Sequence, residues 1–95
     1  MIKEINTPDG PKAMLLGYES LKLLAKLQKE QLDEFSMLEK VALSGFNTYE
    51  KRQDLPLTQL EQMLGWFDEA GTFLEVQEAI TAFSENFTRK ESPKA

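Results

Sequence analysis

Cysteine and histidine are both missing from this 95-residue chain. Their absence excludes disulfide staples, thiolate zinc sites, thiol nucleophiles and the side chain most often used for general acid–base catalysis. Long apolar runs are missing as well: none approaches the roughly 20 residues of a membrane-spanning helix. The charged start MIKEINTPDG is too poor in apolar residues for a signal peptide. A soluble, cytoplasmic protein is the expectation. Cations are missing from one region. Between Gln53 and Thr88 the carboxylates Asp54, Glu61, Asp68, Glu69, Glu75, Glu78 and Glu85 occur with no Lys or Arg among them. The formal net charge is −5, and binding to bare nucleic acid needs clustered cations to displace counterions, so that function is disfavoured.

What is present argues for a small folded domain. Hydrophobic residues make up 41% of the chain and aromatics 9%, too many for wholesale disorder. The expectation is a mostly α-helical single domain over residues 1–88, a bundle of about four helices, followed by a flexible charged tail, Arg89–Ala95. Residues 1–17 admit two readings. Thr7-Pro8-Asp9-Gly10 is a strong turn signal and can join strands near Ile2–Ile5 and Lys12–Leu16 into a β-hairpin. Gly10-Pro11 can equally open a helix, with Pro11 at its first position.

Leu16, Ser20, Leu21, Leu24 and Leu27 share one helical face, which predicts a helix over Tyr18–Gln31. Ser36-x-x-Glu39 fits a capping box, in which the hydroxyl bonds the N3 amide and the Glu reaches back. It predicts a helix from Ser36, with Gly45 as its stop and Asn47–Leu55 as a polar loop. Thr58-x-x-Glu61 opens another helix, with the apolar stripe Leu60, Met63, Leu64 and Phe67, closed by Gly71. Thr72-x-x-Glu75 opens the last, along Phe73, Val76, Ile80, Phe83 and Phe87. The short connection predicts that these last two helices form an antiparallel hairpin.

None of the residue patterns specifies a reaction. Ser44-Gly45 lacks the glycines of a nucleophile elbow and has no histidine to serve it. Asp68 and Glu69 are neighbours, so on a helix they diverge by roughly 100°. No Gly-rich loop precedes a lysine, and the carboxylates lack EF-hand spacing. No catalytic, cofactor-binding or metal-binding residue is therefore assigned, and the chain is read as a non-enzyme. Surfaces remain. Trp66 falls about 100° from the centre of its stripe, Leu74 is similarly displaced, and Phe46 and Tyr49 fall at or within the expected loop. They either pack against the N-terminal segment and cover the edge of the core, or are the candidate apolar anchors of a partner-binding face. Glu75, Glu78 and Glu85 read either as part of a solvated acidic surface or as the candidate electrostatic component of that face, meeting a basic partner or the Lys22, Lys26 and Lys29 face of another copy.

The order of segments GYESLKLLAKL, MLEKVALSGF, LPLTQLEQMLGWFDEAG and VQEAITAFSEN resembles the tail assembly chaperones of long-tailed, siphovirus-type bacteriophages. The matching positions are Tyr18 and Leu21; Ala42, Leu43, Gly45 and Phe46; Leu57, Thr58 and Leu60; and Ala82 with Phe83. The likeness covers residues 12–86. It implies a non-enzymatic protein of the host cytoplasm that binds the tape measure protein during tail assembly, self-associates around it, and is absent from the finished tail. It also implies that a longer, frameshifted form can accompany the short one. The alternative reading is a small acidic phage or bacterial regulator that occupies a basic surface on its target.

Overall fold

The computed structural model describes the backbone of residues 1–91 and the side chains of residues 1–86. The strands β1 (Ile2–Thr7) and β2 (Gly10–Leu15) precede the helices α1 (Tyr18–Lys29), α2 (Glu34–Arg52), α3 (Leu60–Phe67) and α4 (Ala70–Glu91). Of the two readings of the N-terminal segment, the hairpin is the one observed. Its strands pair antiparallel from Ile2↔Leu15 to Thr7↔Gly10 around a Pro8-Asp9 turn. Gly10 closes that turn at φ 100°, a conformation that costs glycine little and other residues more. The Thr7 hydroxyl donates to the Gly10 carbonyl at 2.6 Å and accepts from the Asp9 amide at 3.1 Å. The expected tail continues α4 through Glu91; residues 92–95 and the side chain of Phe87 lie outside the described residues.

The hairpin forms one wall of the core. Ile5, Met14 and Leu16 are fully buried, and they meet Leu27 from α1, Val41, Ala42 and Phe46 from α2, Met63 and Trp66 from α3, and Val76, Ala79 and Ile80 from α4. Helix α2 packs on β2 and α4 on β1. Gly45 makes the first of these contacts possible. A Cβ on it would lie 2.6 Å from the Met14 Cγ and 3.3 Å from the Leu15 carbonyl oxygen. Only a residue without a side chain lets the helix backbone pass this close. Gly45 therefore does not stop the helix, as its position in the sequence suggests; α2 continues to Arg52, and most of the expected Asn47–Leu55 loop is helical.

All three expected capping boxes are used differently. Ser36 is the third helical residue of α2, and Asp33 is its cap, accepting from the Ser36 amide at 3.2 Å and from its hydroxyl at 2.6 Å. These two bonds hold the Asp33 carboxyl below its ordinary value. Thr58 lies outside α3 and is buried against Glu50. Thr72 lies inside α4, which begins at Ala70, so the chain breaks at Asp68-Glu69 and not at Gly71. In each case a local hydroxyl-to-amide bond has lost to another partner that satisfies the same polar group.

Candidate functional site

Of the residues proposed as partner anchors, Trp66 and Phe46 belong to the core. Trp66 is 2% exposed and Phe46 0%, and their rings meet edge to face with centroids 5.5 Å apart. The periodicity argument fails at Trp66 because α3 is packed on more than one side. Phe67 meets Phe73 of α4 at 5.6 Å between ring centroids, while Trp66 meets α2. Leu60, placed in the stripe by spacing, is instead 45% exposed. The polar edge of Trp66 has its own partner: its indole N–H donates to the Asp9 carboxylate at 2.7 Å. The Gln62 side-chain amide donates to the same oxygen at 3.3 Å. With Lys12 nearby, these bonds hold the Asp9 carboxyl below its ordinary value, against a partial loss of solvent.

Phe46 and Tyr49 lie on α2 and not in a loop. Tyr49 is half-buried beside Glu50 in a cleft of about 370 Å³ between β2 and the Leu55–Thr58 segment. The Glu50 carboxylate is occupied there. It accepts from the Thr58 amide at 2.8 Å, from the Thr58 hydroxyl, and from the Asn47 side chain at 3.1 Å. This is a structural clamp tying the segment before α3 to the end of α2.

The carboxylates divide by role. Glu75 is half-buried and accepts from the Asn6 backbone amide at 3.3 Å and from its side chain at 3.4 Å. The neighbouring Thr72 hydroxyl donates to the Asn6 carbonyl at 2.7 Å. Together they cap the outer edge of β1 at Asn6. Glu78 and Glu85 are exposed on α4, and Leu74 is 51% exposed. The only ion pair among the described residues joins Lys22 and Glu19 at 4.0 Å, far along the chain from the acidic region.

An element that the sequence did not single out is a groove of about 290 Å³ between α1, α2 and α4. Its floor is apolar, from Leu24, Met37, Leu38, Val41 and Ile80, and its rim carries Glu34 and Glu85. No Lys or Arg lines it among the described residues. Sequence spacing places Leu24, Leu38, Val41 and Ile80 on apolar helix faces, and they do face inward, but it singles out neither Met37 nor the gap that the three helices leave between them. Large apolar side chains are exposed elsewhere too, notably Tyr18 at 73% and Phe35 at 64%.

Among the described residues no group of three or more Asp or Glu side chains is placed to hold a metal ion, and no helix is long and apolar enough to cross a membrane. Comparison of the chain with family models, curated proteins and solved structures found no match.

Proposed function

We propose that this protein is a non-enzymatic tail assembly chaperone of a long-tailed bacteriophage. In this reading it binds the tape measure protein in the host cytoplasm and self-associates along it. The observation that carries the proposal is the groove between α1, α2 and α4, with an apolar floor and acidic rim. Such a groove suits an amphipathic helix, and helix-in-groove binding draws its affinity from apolar side chains at helical spacing. A client that exposes long apolar helices needs these covered before assembly. The acidic, cation-free region from Gln53 to Thr88 would then keep the complex dispersed through net charge.

The test is co-expression with the tape measure protein. The expected result is that the client moves from the insoluble to the soluble fraction and co-purifies with this chain; an insoluble client overturns the reading. Gene order supplies an independent check, because the reading requires a position between the major tail protein and tape measure genes. The exposed Glu78 and Glu85 favour the acidic-regulator reading as its rival. That reading requires salt-sensitive capture of a folded basic protein, lost on neutralising both residues.

A further inference from the structure

We infer that the groove between α1, α2 and α4 is the docking site for a basic amphipathic helix, one with Lys or Arg flanking its apolar face. The inference rests on the partner-binding reading above and specifies the chemistry of its partner. Leu24, Leu38, Val41 and Ile80 give the floor its apolar character, with Glu34 on α2 and Glu85 on α4 at the rim. Glu78 lies two helical turns before Glu85 on α4 and extends the acidic stripe along the same side. Desolvating an apolar face against the floor supplies affinity, while the rim selects for charge.

An acidic helix of identical apolar face would bring like charges to Glu34 and Glu85. A neutral helix would leave the carboxylates without a partner. A basic helix answers both components of the groove. The lysine face of α1, with Lys22, Lys26 and Lys29, belongs to the same chain, so a second copy is a competing occupant that the test must separate.

The test uses a synthetic Leu/Lys amphipathic peptide and a Leu/Glu peptide of the same apolar pattern, titrated into the full chain at low salt. The Leu/Lys peptide is expected to bind and the Leu/Glu peptide not. Neutralising the rim with Glu34→Gln and Glu85→Gln should weaken binding about fivefold, the size of two exposed ion pairs. Neutralising the remote Glu61 and Asp68, by Glu61→Gln and Asp68→Asn, makes the same change in net charge and should leave affinity nearly unchanged. Equal losses in the two double variants would reduce the effect to overall charge and overturn the proposal. Thr81→Trp, at an exposed position lining the groove, should fill it and weaken binding by about tenfold or more. Unchanged binding in a folded Thr81→Trp protein overturns the proposal. So does a wild-type dimer that this variant dissociates, since the groove then belongs to a second copy. The two readings fail separately. A tape measure protein solubilised equally by wild type and Thr81→Trp removes the groove and keeps the chaperone; groove-dependent peptide binding with an insoluble client does the reverse.

Discussion

The β-hairpin is attached to the helices in two chemically different ways. Toward α2 the contact is steric: the helix passes the Met14 side chain and Leu15 carbonyl at a distance only Gly45 permits. Toward α3 and α4 directed polar bonds join the apolar packing: Trp66 and Gln62 bond Asp9, and Thr72 and Glu75 bond Asn6. The first contact depends on an absent side chain and the second on hydrogen bonds of defined direction. A close-packed contact has no slack, because added volume must displace buried neighbours. A polar contact loses its bonds one at a time, each with a modest net contribution.

The largest effect should come from the steric side. Gly45→Val should destabilise the protein by about 3 kcal/mol, since Met14 is fully buried and cannot swing into solvent. Thermal and urea unfolding measure this directly, and a loss below about 1 kcal/mol would remove the close approach as a determinant of the fold. Trp66→Phe should cost about 2 kcal/mol, chiefly through lost volume beside Phe46. Combining it with Asp9→Ala, which removes the acceptor, in a double-mutant cycle measures the coupling through the indole bond, and strictly additive effects would show that bond to be without weight.

Thr72→Val keeps the shape of the side chain but removes the donor to the Asn6 carbonyl. The expected loss is about 1 kcal/mol. Faster amide exchange across β1 than across α2 would place the loss at the strand edge, whereas uniform acceleration would not. The smallest effect is pH-dependent. The Asp9 carboxyl is held below its ordinary 3.8 by Trp66 and Gln62, so its contribution is present above the unfolded value and is lost as pH falls through the folded one. The melting-temperature difference between wild type and Asp9→Asn should therefore shrink below about pH 4. A difference that persists unchanged in acid would exclude the carboxylate as its source.

The same contrast explains what the sequence made legible. The Pro8–Gly10 turn signal, the start of α1 and the existence of four helices followed from local chemistry. The choice between hairpin and helix for residues 1–17 did not, and α1 ends at Lys29, two residues before the expected Gln31. Helix ends were misread wherever a polar side chain served a distant partner. Thr58 and Thr72 look like caps because their hydroxyls need an acceptor or an amide, and nothing local reveals that Glu50 and Asn6 supply one. Gly45 reads as a stop because no sequence window contains the strand that crosses it. For the candidate site the sequence marked Glu85, but it spread attention to Trp66 and Phe46, whose burial depends on α3 being packed between neighbours. The groove arises from how three helices diverge, and residue spacing carries no information about that.

Order of synthesis gives the capped edge of β1 a further meaning. Met1 and Leu16 exchange both backbone bonds, at 2.8 and 2.9 Å, so the antiparallel alternation turns the Asn6 amide and carbonyl outward. Their partners Thr72 and Glu75 stand 66 and 69 residues later. A chain emerging from the ribosome can close the hairpin at once, yet it presents an open strand edge until α4 has been made. During that interval the Asn6 amide and carbonyl stand open on the strand edge, and α4 later occupies them through Glu75 and Thr72.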